Sequence, residues 1–266
     1  MTSIGALEQF NPWWKTGNVK DSWLKPYKRH IYPDIKKYTD KRQVILIWGL
    51  RRTGKTTIMF QLIQDLLTHA DKKHIFYFSF DEIVFDFKEI LESYQQTVLG
   101  NNFDEVEGKI YIFLDEIQKV DDWENKIKVY YDLYPNIKFV ISGSASVSLR
   151  RKSTESLAGR IMDFQMKLLS FEEFIEMNGR DIKKIRENPD LWKRELIPLF
   201  YRYLKYGMFP ELDAKNDEDL ARNYILNNII ERVIYTDLPD ELELKDDQMV
   251  TTIIYIICKK VCRNVS

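Results

Sequence analysis

Gly49, Leu50, Arg51, Arg52, Thr53, Gly54, Lys55 and Thr56 fill the spacing G-x-x-x-x-G-K-[ST] without a mismatch. Glycines at these positions let successive backbone N–H groups turn inward around phosphate oxygens, and the lysine sets a full positive charge against the β and γ oxygens of a nucleoside triphosphate. Thr56 offers a hydroxyl to Mg²⁺. Thr57 continues into a helix whose N-terminus adds partial positive charge. Sixty residues beyond Lys55, the apolar run Ile110-Tyr-Ile-Phe-Leu114 ends in two adjacent carboxylates, Asp115 and Glu116. This is a Walker B pattern: Asp115 at a strand tip to hold the Mg²⁺ shell, and Glu116 beside it to polarise the water that attacks the γ-phosphate. The cofactors implied are ATP or ADP with Mg²⁺.

A second strand, Lys138-Phe-Val-Ile-Ser142-Gly-Ser144, ends in hydroxyl residues. In a sheet of this class it lies between the phosphate-loop strand and the Walker B strand, which puts Ser142 or Ser144 near the γ-phosphate. Arg150, Arg151 and Arg160 then flank a helix and precede a fifth strand. A guanidinium there can reach a phosphate bound by a neighbouring copy and offset charge in the transition state.

These residues need a scaffold, and the pattern between about residues 43 and 168 supplies one. Val44 to Trp48, Ile75 to Phe80, Ile110 to Leu114, Phe139 to Ser142 and Ile161 to Leu168 are aromatic or β-branched runs, too apolar for a sheet with one wet face. Helices should cover both faces. Ile58, Leu62 and Leu66 trace one helical stripe, and Trp123, Ile127 and Tyr130 or Tyr131 another. From Ser170 the signal is helical only: Phe171 to Met177, Leu191 to Tyr206 and Asp219 to Tyr235, with turns at Asn178-Gly179, Asn188-Pro189 and Gly207 to Pro210. A segment from Thr236 starts acidic and yields one apolar helix near Met249 to Val261. That helix reads as the opening of another domain, and so implies a fragment.

The formal net charge of −1 hides an asymmetry: residues 1–42 hold nine Lys/Arg against four Asp/Glu, and residues 211–250 hold four against twelve. The basic arm also carries Phe10, Trp13, Trp14, Trp23, Tyr27, Tyr32 and Tyr38. Basic plus aromatic composition suits single-stranded nucleic acid, and it equally suits an extension packed on a folded domain with its lysines in water. No apolar run approaches the ~18 residues of a membrane helix, and no secretory signal opens the chain, so a cytoplasmic location without membrane contact is expected. Cys258 and Cys262 with three scattered histidines assemble no zinc site.

The segments GLRRTGKTT, YIFLDEIQKVDDWENKIKVYYD, FVISGSAS, SLAGR, LLSFEEF and YGMFPE together resemble the archaeal and bacterial AAA+ ATPase family with a DEIQK-type Walker B signature. The resemblance covers roughly residues 25 to 265. It implies an α/β fold: an AAA+ P-loop core with a five-stranded parallel sheet over residues 43–169, behind the arm of residues 1–42. An all-helical lid over 170–235 follows, then a linker and first helix of a winged-helix-like or further domain over 236–266. It also implies that Ser142 is the nucleotide sensor, Arg160 the arginine supplied in trans within a homo-oligomer, Pro210 the lid turn that approaches the adenine, and Arg29 part of the segment leading into the base pocket. Tyr206-Gly207-Met208 departs from the family, where a second glycine is common.

The function expected is Mg²⁺-dependent ATP hydrolysis that drives conformational change on DNA or a DNA-associated complex, the target resting on the resemblance alone. A nucleotide-gated scaffold with little turnover is the alternative. A two-RecA-domain helicase also fits Asp115-Glu-Ile-Gln118, but residues 169–266 offer almost no strand signal for a second such domain. A small-molecule kinase calls for a more basic lid. A GTPase needs an N-K-x-D box, and Asn125-Lys126-Ile127-Lys128 lacks the acid that reads guanine.

Overall fold

The computed structural model describes residues 4–81, 86–144, 157–212, 223–225 and 227. Arg150, Arg151, Cys258, Cys262, the acidic segment, the apolar helix near 249–261 and most of the helix expected from Asp219 lie outside the described residues. The described residues fall into two compact units, one containing those up to 144 together with 157–167, the other those from 168 onward.

All five expected strands form: β1 (Val44–Gly49), β2 (Ile75–Ser79), β3 (Ile110–Asp115), β4 (Ile137–Ser144) and β5 (Ile161–Met166). They make one sheet in the order β2-β3-β4-β1-β5, every pairing parallel. A parallel sheet puts all carboxyl ends on one edge, so Gly49, Ser79, Asp115, Ser144 and Met166 line up there. The strand ending in serines lies between the phosphate-loop strand and the Walker B strand, as that class of sheet requires. The register pairs Gly49 with Ser144 and Leu114 with Ile141. The central strands β3 and β4 are buried along their whole length. β5 is not: only Met166 is buried there, and Asp163 and Gln165 are exposed. The expectation of two covered faces fails at this edge, where, among the described residues, no further strand takes up the open side.

The helices follow from their stripes and caps. α4 (Lys55–Leu66) buries Ile58, Met59, Leu62, Ile63 and Leu66 against the sheet. α5 (Phe87–Tyr94) starts at Asp86, whose carboxylate accepts the N–H groups of Lys88 and Glu89. α6 (Trp123–Leu133) buries Trp123 and Ile127 as the spacing predicts, and of the two tyrosines it buries Tyr131.

The arm is part of the first unit and carries α1 (Ile4–Phe10), α2 (Trp13–Thr16) and α3 (Tyr32–Lys36). Its aromatic residues pack. Trp13 and Trp14 are buried and both indole N–H groups donate to the Ile75 carbonyl at 2.9 Å, filling the two lone pairs of that oxygen. Asn11 accepts the Tyr77 N–H at 2.6 Å and donates to the Tyr77 carbonyl at 2.9 Å. Its carboxamide therefore imitates one residue of a neighbouring strand and closes the open edge of β2. Trp23 stacks on Phe60 at 4.8 Å. Of the two uses weighed for these rings, burial is the one observed, and single-strand stacking on Trp13 and Trp14 is ruled out by their burial.

In the second unit, α7 (Phe171–Met177) opens with a capping box between Ser170 and Glu173. The helix expected over Leu191 to Tyr206 forms as α9 (Pro189–Arg202) running on into a π turn, Tyr203–Gly207, and a further short helix not expected from the pattern, α8 (Ile182–Glu187), precedes it. Asp181 caps α8 through the N–H groups of Lys183 and Lys184, and Pro189 restarts the helix at its first position, where a missing N–H costs nothing. Gly207 packs against Phe174, and a Cβ there would lie 2.8 Å from that ring.

Candidate active site

The loop between β1 and α4 lies at the carboxyl edge, and its shape depends on its two glycines. A Cβ on Gly49 would lie 2.3 Å from the Met166 carbonyl oxygen, so only glycine lets β1 pass β5 this closely. Gly54 sits at φ 93°, in the left-handed region, and ends the loop as the N-cap of α4. The helix then begins at Lys55 itself, which aims its first-turn N–H groups into the loop. Lys55 is 5% exposed and its Nζ donates to the carbonyls of Gly49 and Leu50, each at 3.1 Å. Thr53 is buried and donates to the Leu50 carbonyl at 2.8 Å. Leu50 is exposed, Arg52 is exposed at φ 65°, Arg51 is half-buried, and Thr57 lies within the first turn of α4.

Thr56 and Asp115 meet at the base of this loop: the threonine hydroxyl donates to Asp115 Oδ2 at 2.6 Å. Asp115 is 2% exposed and collects further donors. The Tyr77 hydroxyl reaches Oδ2 at 3.1 Å, the Glu116 N–H reaches Oδ1 at 3.1 Å, and the Ser142 hydroxyl donates to Oδ1. Burial pushes the Asp115 carboxyl above the usual carboxylate range, and the Glu116 charge adds to this; the hydroxyls of Ser142 and Thr56 and the charge of Lys55 act against it. Tyr77 is held well above its ordinary value by burial and by Asp115, so it stays a protonated donor.

Glu116 leaves the strand in the left-handed region, φ 54° and ψ 45°, as N-cap of the 3₁₀ turn Ile117–Lys119. Its Oε2 accepts from Gln118 Nε2 at 2.5 Å and from Ser144 Oγ at 3.0 Å. Asp115, Glu116, Ser142, Ser144 and Thr56 are therefore joined by hydrogen bonds into one group at the carboxyl edge, with Lys55 next to Thr56 at the start of α4.

Three residues singled out from the resemblance lie elsewhere. Arg29 is buried, and its guanidinium donates to the carbonyls of Thr53 and Lys167, both at 3.0 Å, which ties the phosphate loop to the end of the β5 segment. Arg160 directly precedes β5 at the opposite edge. The parallel register pairs Val44 with Ile161 and Gly49 with Met166, so about 20 Å of strand separates Arg160 from the level of the loop. It pairs with Asp132 of α6 at 3.1 Å. Pro210 belongs to the second unit, in the turn where the Leu212 N–H meets the Phe209 carbonyl.

A model of the family described as AAA domain matches residues 41–175, which takes in the loop, both carboxylates and all five strands. The chain belongs to this family. An AAA domain is a nucleotide-binding domain, and the α/β core with its parallel five-stranded sheet has that architecture. The chain is 27% identical over 226 residues to the uncharacterized protein MJ1544 of Methanocaldococcus jannaschii, covering 81% of this chain and 46% of that one. It is 29% identical over 254 residues to MJ1637 of the same organism (86% and 52%), and 27% identical over 229 residues to an uncharacterized protein of Haemophilus influenzae (84% and 53%). The chain thus spans about half the length of the curated relatives it matches. The structure of C. elegans PCH-2 is similar over 78% of this chain and 69% of its own, at 14% identity and a TM-score of 0.48. Among the described residues, no helix is long and apolar enough to cross a membrane.

The sequence marked Gln118 only within the Asp115-Glu-Ile-Gln118 pattern, with no role beside Glu116, and did not single out Tyr77. Tyr77 carried a faint signal, as a lone hydroxyl in the otherwise apolar strand Ile75-Phe-Tyr-Phe.

Proposed function

We propose that this AAA domain binds ATP with Mg²⁺ and hydrolyses it, using the cycle to change conformation while acting on DNA or a DNA-associated complex. The observation that carries the reading is the 2.6 Å contact of the Thr56 hydroxyl with Asp115 at the base of a glycine-shaped loop, with Glu116 next in the chain. Thr56 Oγ1 and an Asp115 oxygen are hard donors of the kind Mg²⁺ takes, few in number because phosphate oxygens and water complete its shell. Thr56 and Asp115 would hold the Mg²⁺, which would supply charge neutralisation to the phosphate oxygens during transfer.

The protein's own groups do the rest. The loop N–H groups and the α4 N-terminus bind the phosphates, and Lys55 moves its three donors from backbone carbonyls to phosphate oxygens. Glu116 orients the attacking water and takes its proton. Ser142 senses the γ-phosphate from the strand between the loop and the acids. Arg160, too far along β5 to reach its own loop, supplies its guanidinium to the site of a second copy. Pro210 and Arg29 belong to the adenine side in this reading, Arg29 acting through the loop it anchors. DNA as target rests on the motif resemblance; the arm's seven exposed lysines offer the charge such a contact needs.

The test is ATP turnover against protein concentration, with and without single-stranded, duplex and branched DNA. Lys55→Ala should abolish nucleotide binding, and Glu116→Gln should preserve it while slowing turnover ~10²–10⁴-fold. Unchanged turnover in Glu116→Gln would sink the mechanism, and nucleotide binding with no turnover in the parent would favour the scaffold. Indifference to all three DNAs would remove the DNA target.

A further inference from the structure

The chain places a glutamine two residues beyond the base, inside a 3₁₀ turn too short to bury anything but Ile117. The geometry gives that side chain a partner on each side. Its Nε2 donates to Glu116 Oε2 at 2.5 Å, and its Oε1 accepts the Ser144 N–H at 3.3 Å. Those two contacts fix which way the amide points, because the flipped amide would set a carbonyl against a carboxylate and an N–H against an N–H. Ser144 closes the ring by donating its hydroxyl to the same Oε2 at 3.0 Å. Glu116, Gln118 and Ser144 thus hold one another in a closed triangle that bridges the tips of β3 and β4.

We infer that Gln118, with Ser144, is a positioning residue for hydrolysis: the pair fixes one oxygen of Glu116 and so presents the other to the attacking water. This rests on the reading of Glu116 as the base. Among the described residues Oε1 of Glu116 takes no hydrogen bond, while Oε2 takes two, and an asymmetrically anchored carboxylate keeps one lone-pair face aimed in a constant direction. Anchoring is needed here because Glu116 stands at φ 54°, a conformation non-glycine residues leave when nothing holds them. A base that swings loses the orientation on which general-base catalysis depends. Ser142 and Ser144 share a face of β4, so the same strand end serves both acids: Ser142 holds Asp115 and Ser144 holds Glu116.

The experiment measures kcat, KM, ATP affinity and thermal unfolding for the parent, Gln118→Ala and Gln118→Glu, each also in a Glu116→Gln background. Gln118→Ala should lower kcat about 10-fold to 100-fold, the loss of one hydrogen bond to a charged group, with ATP affinity and unfolding temperature unchanged. Gln118→Glu should lower it further by facing a like charge. In the Glu116→Gln background the Gln118 substitutions should have no further effect, since a residue that acts through the base has nothing left to act on. Equal losses in both backgrounds, a matching fall in ATP affinity, or a rise in kcat on removing the amide would each overturn the inference while leaving the ATPase reading intact. Absence of turnover in the parent would overturn both.

Discussion

Replacing Arg29 by Met tests what its guanidinium is for. The side chain is buried and donates to the Thr53 and Lys167 carbonyls at 3.0 Å each. Met keeps most of the apolar volume and removes both charge-assisted bonds, each worth ~1.5–3 kcal/mol. Two such losses would destabilise the first unit by about 3–6 kcal/mol if nothing relaxed, and by less where water reaches the freed carbonyls. The bond to Thr53 alone restrains the phosphate loop, so its share, ~1.5–3 kcal/mol, bounds the penalty on phosphate binding at roughly 10-fold to 150-fold. The assay is competition against a fluorescent nucleotide, with ATP, ADP and inorganic tripolyphosphate as competitors, beside urea unfolding. A loop anchor predicts that ATP and tripolyphosphate weaken by the same factor. A residue that touches the base predicts that ATP weakens and tripolyphosphate does not, and that second pattern would refute the anchoring argument.

Further substitutions probe the frame around the site. Gly49→Ala should disorder the loop and cost nucleotide affinity at least 10-fold, because the new Cβ would lie 2.3 Å from a backbone oxygen that cannot swing aside; calorimetric titration with ATP measures it. Trp13→Ala should lower unfolding stability by about 3–5 kcal/mol in urea, as its ring is wholly buried in the first unit; a change under 1 kcal/mol would mean the arm is dispensable to that unit. Lys138 predicts a pH dependence. Burial lowers its pKa from 10.5 to about 7, and its Nζ donates to the Lys41 and Gln43 carbonyls. Above pH 7 the folded chain releases this proton while the unfolded chain keeps it up to about 10.5, so the unfolded state binds more protons and stability rises with pH. The gain is about 4 kcal/mol between pH 7 and 10 at 1.36 kcal/mol per unit. Tyr32, Tyr77, Tyr94 and Tyr130, all raised, reverse the slope only above about pH 10. Lys138→Met should flatten the profile in denaturant titrations at pH 7, 8, 9 and 10; an unaltered slope would show that another group carries it.

The parts of the site that could be read from the chain are those written contiguously: the loop, the acids that end an apolar strand, and the strand that stops in serines. Each is a local pattern whose backbone conformation follows from its own residues. What could not be read is the full set of donors on Asp115: Thr56 was expected only to share Mg²⁺ with it, whereas Thr56, Tyr77 and Ser142 all bond it directly from positions 59, 38 and 27 residues away. Ser142 was within reach of sequence reasoning because the strand order of this class of sheet puts β4 beside β3. Tyr77 was not, because its contact requires knowing that β2 flanks β3 on the other side in the register that pairs Ser79 with Asp115. The same missing register hid the role of the arm, since Asn11 and Trp13 find their carbonyls only on the outer edge of β2. Burial explains why these distant donors are required at all. A carboxylate 2% exposed pays a desolvation cost that no single hydroxyl offsets, and its raised pKa shows burial still prevailing over the donors present. Three hydroxyls, a backbone N–H and the Lys55 charge together make that position tenable for an anion. On the proposed reading, a cation arriving with nucleotide would tip it fully to the ionised side, and the donors that make Asp115 tenable in the buried edge of the sheet would also ready it to hold that cation.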